Sequence, residues 1–184
     1  MSTIWFTSDH HFSHANCIRY CNRPFLDVKE MNMKMIENWN SVVKENDVVY
    51  HLGDFVFTRI IDEIELLTNT LNGKINLILG NHDKLIRKNL KYCLRHFNSI
   101  KDFDEIQLYK KSITLCHYSM RVWNKFHYGS WHLFGHSHGN LNNIDLGLSL
   151  DAGVDNFDFF PASFEQIYEI MKKREDEQRL LQDS

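Results

Sequence analysis

An α/β fold of two packed mixed β-sheets flanked by helices is the architecture the sequence predicts. Three observations carry it. Through residue 83, short apolar runs alternate with segments whose apolar residues step by three or four, the pattern of parallel strands joined by crossover helices. Between residues 103 and 154 the apolar runs follow one another with little helix between them. From Phe164 onward the helical step returns.

Thr3 to Ser8 reads as a buried strand, stopped by Asp9-His10-His11. Val28, Met31, Met35, Trp39 and Val42 form one face of a helix over 28–43. Asp47 to Leu52 is a second strand, ended by Gly53-Asp54. Ile60, Ile64, Leu67 and Leu71 mark a second helix, closed by Asn72-Gly73. Lys74 to Leu79 is a third strand, ended by Gly80-Asn81-His82-Asp83. Phe103–Tyr109, Ser112–Cys116, Trp131–Phe134 and Ile144–Val154 are expected to be strands of a second, more antiparallel sheet, with Lys110-Lys111 turning the first pair into a hairpin. A final helix over about 163–182 is apolar on one face only as far as Met171; Lys172 to Gln178 is charged all round, as in a solvated projection. No repeat or long linker divides the 184 residues, a length one core can serve, so a single domain over 1–184 is expected.

Composition narrows the function. A net charge of -3 provides no global basic field for long nucleic acid. No run approaches the length of a membrane span, and the N-terminus lacks the basic start and apolar stretch of a signal peptide. Cys17, Cys21, Cys93 and Cys116 have neither zinc-finger nor disulfide-framework spacing; the Cys17–Cys21 pair reads as packing. A reducing cytoplasm fits, and a phage-encoded origin fits equally.

The eleven histidines are notable for their placement. Five expected strands each run into a metal-competent side chain: Asp9 and His11, then Asp54, then Asn81 and His82, then His117, then His136 and His138. Parallel strands bring such carboxyl ends onto one rim, where ligands of open α/β sheets bind. Each group alone could be an ordinary turn, since Asp, Asn and Gly all end strands. Together, at successive strand ends, they have no shared structural duty. His10, His51, His96 and His132 are read as packing or surface histidines.

The series Asp9-x-His11, Gly53-Asp54, Gly80-Asn81-His82-Asp83, His117 and Gly135-His136-x-His138 resembles the calcineurin-like metallophosphoesterase superfamily over residues 9–138. Asp9 to Asn16, followed by Arg23-Pro24-Phe25, is similar to its small bacterial and phage members. The resemblance implies a metallophosphoesterase-like β-sandwich and two divalent metal ions. Asp9, His11, Asp54 and His138 would hold one, and Asp54, Asn81, His117 and His136 the other. A carboxylate at Asp54 can bridge because it has two oxygens. Nitrogen and oxygen donors without thiolate suit manganese, iron, zinc or nickel, with manganese preferred here. Two such ions can generate hydroxide at neutral pH and clamp a phosphoryl group. His82 would protonate the leaving oxygen, with Asp83 fixing its tautomer.

His14, Asn16, Arg121 and His127 are candidate substrate contacts, with Tyr128 beside them, and the Trp123–Trp131 segment could be a lid or a dimer contact. Nuclease members often carry a His three residues after the bridging Asp; here that residue is Phe57, which argues against DNA processing. The expected function is hydrolysis of a phosphodiester in a small nucleotide-like molecule. Phosphomonoesterase activity is the alternative, and a non-catalytic scaffold is disfavoured because every ligand is present. The oligomeric state is not specified.

Overall fold

Alternating side chains in the first strands place one sheet between two cores. The structure, a computed structural model, describes residues 2–142, 144 and 146–182. It begins with β1 (Ile4–Thr7), the short α1 (Ala15–Tyr20), α2 (Val28–Val42), β2 (Val48–His51), α3 (Ile61–Thr70) and β3 (Lys74–Ile78). Asp27 caps α2 by accepting from the Glu30 amide at 2.9 Å, and Glu30 reaches back to the Leu26 amide at 2.6 Å. Apart from α1, which was not among the expected helices, these elements match the expected order, with ends at most one residue shorter.

The chain continues through α4 (Lys84–Lys88), α5 (Leu90–Cys93), β4 (Ser99–Lys101), β5 (Phe103–Leu108), β6 (Lys111–Cys116), β7 (Trp131–Phe134), β8 (Ser149–Asp151), β9 (Ala162–Ser163) and α6 (Phe164–Gln182). One sheet has the order β4-β3-β2-β1-β9, parallel except for β9; the other is β5-β6-β7-β8. The fold is the expected pair of mixed sheets flanked by helices.

Along β1, Phe6 faces the second sheet while Trp5 faces the helices; β2 and β3 divide their side chains in the same way. Met31, Met35 and Trp39 of α2 and Ile64 of α3 fill the helical side against Val49, Ile75 and Leu77. Phe6, Leu52 and Ile78 meet Leu115, Trp131 and Leu133 between the sheets. Each fully buried large side chain of this kind contributes about 1.5–3 kcal/mol relative to exposure.

The second sheet is less antiparallel than expected. Only β5–β6 is antiparallel; β6–β7 and β7–β8 are parallel. The chain has to travel back before each of β7 and β8, and loops do this where the first half uses helices. Tyr109 and Lys110, both at positive φ, make the hairpin turn, so the turn lies one residue earlier than Lys110-Lys111. Of the expected strand from Ile144 to Val154, β8 forms a ladder and Gly153 makes an isolated bridge to Ser8; Asp145 lies outside the described residues. The later half of α6 is not simply a solvated projection. Glu175 is buried, accepts from the Trp131 indole at 2.8 Å and pairs with Lys111, while Arg174 donates to the Ser149 carbonyl. A charged stretch can seat one buried acid when its partners come from another element, which periodicity within the helix cannot reveal.

Candidate metal centre

The carboxyl ends of β1, β2, β3, β6 and β7 converge on one rim, and all seven predicted ligands lie there. Asp9, His11 and His138 each place one donor atom within 4.8 Å of the others, as do Asp54, His117 and His136. The two groups meet at Asp54, whose Oδ2 is 3.5 Å from Nε2 of both His11 and His117. Asn81 completes the second group, with Oδ1 3.1 Å from His117 Nε2.

Local backbone builds this convergence. Asp9, His11, Asp54, His136 and His138 all have positive φ, a conformation uncommon for residues with a side chain and concentrated at functional sites. Two glycines let the loops approach. Gly53, at φ +99, has no room for a side chain, since a Cβ would stand 2.5 Å from His117 Nδ1. At Gly80 the difficulty is proximity: a Cβ would stand 2.5 Å from the Asp54 amide nitrogen.

The donors fit cations. Asp9 Oδ2 accepts from Ser8 Oγ at 2.5 Å and from the His136 amide at 2.8 Å, but its buried Oδ1 has no hydrogen-bond partner. That oxygen faces Nε2 of His11 and of His138 at 3.9 and 4.0 Å. An orphaned buried carboxylate oxygen is costly unless a positive charge meets it. Burial accordingly pushes the Asp9 carboxyl up to about 7, against the lowering effect of His138 and His117.

His117 leads to the same conclusion. Its Nδ1–H donates to the Leu52 carbonyl at 2.8 Å, which leaves a lone pair on Nε2 in the neutral ring. That lone pair faces two oxygens, Asn81 Oδ1 and Asp54 Oδ2, an arrangement a cation stabilises. With protons alone, burial would lower the His117 pKa, but its contacts with Asp54 raise it. Asp54 is the counterpart: burial favours its neutral form, yet His117, His11 and the His82 amide hold it well below the usual carboxylate range.

Of two orienting residues, Asp155 had no signal in the sequence and Arg23 stood out only within Arg23-Pro24-Phe25. Asp155 Oδ2 accepts from His138 Nδ1 at 2.7 Å, directing Nε2 toward Asp9, and Asp155 is gripped through both oxygens by Arg23 at 2.8 Å each. Arg23 is buried and also donates to the Asp9 and His10 carbonyls, at 2.6 and 3.0 Å, so it is a strut and not a substrate cation. Replacing Asp155 with Asn should weaken binding at the His138 group by about 10–100-fold, the usual cost of losing an orienting partner, and leave the His117 group nearly unchanged. Calorimetric titration with manganese checks this; equal affinities in both proteins would contradict it.

Asp83 requires a correction. It was expected to orient His82, but its Oδ2 accepts from the Asp54 and Gly80 amides at 2.8 and 2.9 Å and its Oδ1 from the Phe55 amide at 2.9 Å. These bonds clamp the loop after β2 to the loop after β3. Three converging backbone N–H groups outcompete one neighbouring imidazole for a fully buried carboxylate. The His82 ring instead sits among His11, His14 and Phe57, with centroids 5.1, 5.5 and 5.6 Å away, and its amide donates to Asp54 Oδ1 at 2.8 Å.

A cleft of about 610 Å³ opens over the rim, and His14, Asn16, Phe57 and His82 are among the residues lining it. Two other predicted contacts lie elsewhere. His127 and Tyr128 line a separate cavity with Phe126 and Leu148, and Arg121 is exposed and lines neither cavity. Trp123 and Trp131 are buried, with indoles donating to the Ser130 carbonyl and to Glu175, so both ends of the 123–131 segment are anchored, while Asn124, Lys125, His127 and Tyr128 between them are exposed and line no part of the cleft over the rim. His10, His51 and His132 are buried packing residues; His10 Nδ1 and His51 Nε2 are 3.0 Å apart beneath the rim.

The calcineurin-like phosphoesterase superfamily domain matches residues 3–148, a span containing all seven converging donors. The chain belongs to that superfamily. Its members are phosphoester hydrolases that use divalent metals, and the donor groups described above are of the corresponding kind. The uncharacterized protein MJ1445 of Methanocaldococcus jannaschii is 35% identical over 179 residues, which is 94% of this chain and 93% of that protein. The Gene 66 protein of Mycobacterium phage L5 is 38% identical over 85 residues, 45% of this chain and 41% of that one. Among solved structures, AQ665 of Aquifex aeolicus, a protein of unknown function, shares the fold with a TM-score of 0.74 at 24% identity, covering 92% of this chain and 100% of its own. An archaeal phosphodiesterase superposes with a TM-score of 0.52 at 21% identity, covering 82% and 83%. No helix among the described residues is long and apolar enough to cross a membrane.

Proposed function

We propose that this metal-dependent phosphoesterase is a phosphodiesterase for small, nucleotide-like substrates. The observation that carries the reading is the cleft lining: among the described residues it contains no Lys or Arg. A phosphomonoester brings about two negative charges and gains from cations beyond the metals. A diester carries one, and its second substituent gains from apolar and amide surface. Phe57, Tyr20, Asn16, Asn22 and Asn140 supply that surface.

In this reading Asp9, His11, Asp54 and His138 hold one cation, and Asp54, Asn81, His117 and His136 the other, with manganese preferred. Bound there, the pair supplies hydroxide at neutral pH and charge neutralisation for the phosphoryl oxygens. Asp54 spans both positions, fixed by the His82 amide at Oδ1 and by the Asp83 clamp on its own amide. His82, on the cleft wall, protonates the leaving oxygen. His14, stacked on Phe57 with ring centroids 4.1 Å apart, contacts substrate together with Asn16. The four free cysteines accord with a reducing cytoplasm. The archaeal phosphodiesterase that shares the fold supports diester chemistry.

With manganese at one pH, kcat/KM for bis-p-nitrophenyl phosphate should exceed that for p-nitrophenyl phosphate by about tenfold or more, about 1.4 kcal/mol in transition-state binding. A preference for the monoester, repeated with natural nucleotides, would make the protein a phosphatase.

A further inference from the structure

Two thiols on the cleft wall have no part in the proposed reaction. Cys17 lies on α1 and Cys21 directly follows that helix, four residues on, so both side chains fall on one face. Their sulfurs are 3.5 Å apart. In a tetrahedral site with metal–sulfur bonds of about 2.3 Å, two sulfurs lie about 3.8 Å from each other. A disulfide requires about 2.05 Å. The separation is that of a thiol–thiol hydrogen bond, far too long for a disulfide and close to the spacing of two thiolates on one metal ion.

A nitrogen of His138 lies within 4.8 Å of both sulfurs, and nitrogens of His11 and His14 lie equally near Cys17. We propose that Cys17, Cys21 and His138 form a third cation site, selective for thiophilic divalent ions of the zinc and cadmium class, that competes with the two-cation centre for His138. Two sulfurs and an imidazole favour such ions over manganese or magnesium. Binding releases the two thiol protons to solvent.

The competition follows from the ring's existing bonds. His138 Nδ1 is held by Asp155 at 2.7 Å, and Nε2 points at Asp9 Oδ1 at 4.0 Å. A cation on the thiols that takes Nδ1 displaces Asp155, and one that takes Nε2 draws the ring from Asp9. Either way the first cation of the centre loses a ligand, and a thiophilic ion becomes an inhibitor. Inhibition rests on the proposed role of His138; binding does not.

The test adds one equivalent of Cd²⁺ to manganese-loaded protein and follows thiolate-to-cadmium charge-transfer absorption and diester turnover together. The expected result is a new ultraviolet band with a loss of turnover of about tenfold or more. Both should vanish in the Cys17→Ser/Cys21→Ser double variant, whose manganese-supported turnover is retained. If the double variant does not fold, Cys21→Ser alone decides the same question at a partly exposed position. Absence of the band, or a band that survives the substitutions, overturns the site. A band without loss of turnover overturns the competition. If manganese-loaded protein hydrolyses no ester at all, the functional reading fails, while the band still decides the thiophilic site.

Discussion

Asp54→Ala should abolish firm binding of both cations and slow diester turnover by about 10³-fold or more. The expectation follows from position. Asp54 Oδ2 stands 3.5 Å from a ring nitrogen of each donor group, and among the described residues no other carboxylate pairs with both. In the proposed arrangement, losing the bridge would remove a ligand from each cation together with the negative charge that would hold them side by side. Metal stabilisation of a phosphoryl transition state amounts to several kcal/mol, and about 4 kcal/mol corresponds to about 10³ in rate. His138→Ala provides the contrast, since it belongs to one group only and should mainly weaken one cation. Elemental analysis of the dialysed proteins, read beside kcat, separates the two cases. If Asp54→Ala kept its metal content, the bridging assignment would be wrong.

His82→Ala should show the opposite separation, with metal content intact and kcat reduced by about 10²–10⁴-fold. The His82 amide donates to Asp54, but its ring lies on the cleft wall beside His14 and Phe57. Substitution keeps the amide and removes only the imidazole. The deficit should grow with the pKa of the leaving alcohol, because a poor leaving group needs the proton most. Asp83→Asn should not reproduce this leaving-group dependence, since the Asp83 carboxylate clamps backbone and does not hold the His82 ring. If metal and turnover fell together in His82→Ala, the ring would be a ligand and not an acid.

What could be read in advance was what repeats along the chain or stands at the end of a regular element. Helices α2 and α3 were legible because one face of each is apolar at a fixed period, and strands β1 to β3 because each is a short apolar run buried on both faces. The candidate donors were legible for a related reason: each follows a strand, and parallel strands share a rim. Residues whose duty is defined only by a partner distant in the chain were not. Asp155 looks like any loop acid until it is found between Arg23 and His138, which lie 132 residues and 17 residues away in sequence. Asp83 sits next to His82 in the chain, and adjacency suggested a pair, but the side chain turns inward to three amides. Glu175 was hidden in a charged stretch for the same reason, its partners Trp131 and Lys111 belonging to the sheet. The parallel pairing in the second sheet was equally invisible, because short apolar runs carry no direction.

The proposed function depends above all on two cations sitting side by side across Asp54. Crystals of the manganese-loaded protein, measured at wavelengths above and below the manganese edge, test it most directly. Two anomalous peaks are expected about 3.5–4 Å apart, one among Asp9, His11 and His138 and the other among Asn81, His117 and His136, with Asp54 between them. A single peak at full manganese loading in an active crystal, or peaks away from Asp54, would contradict it.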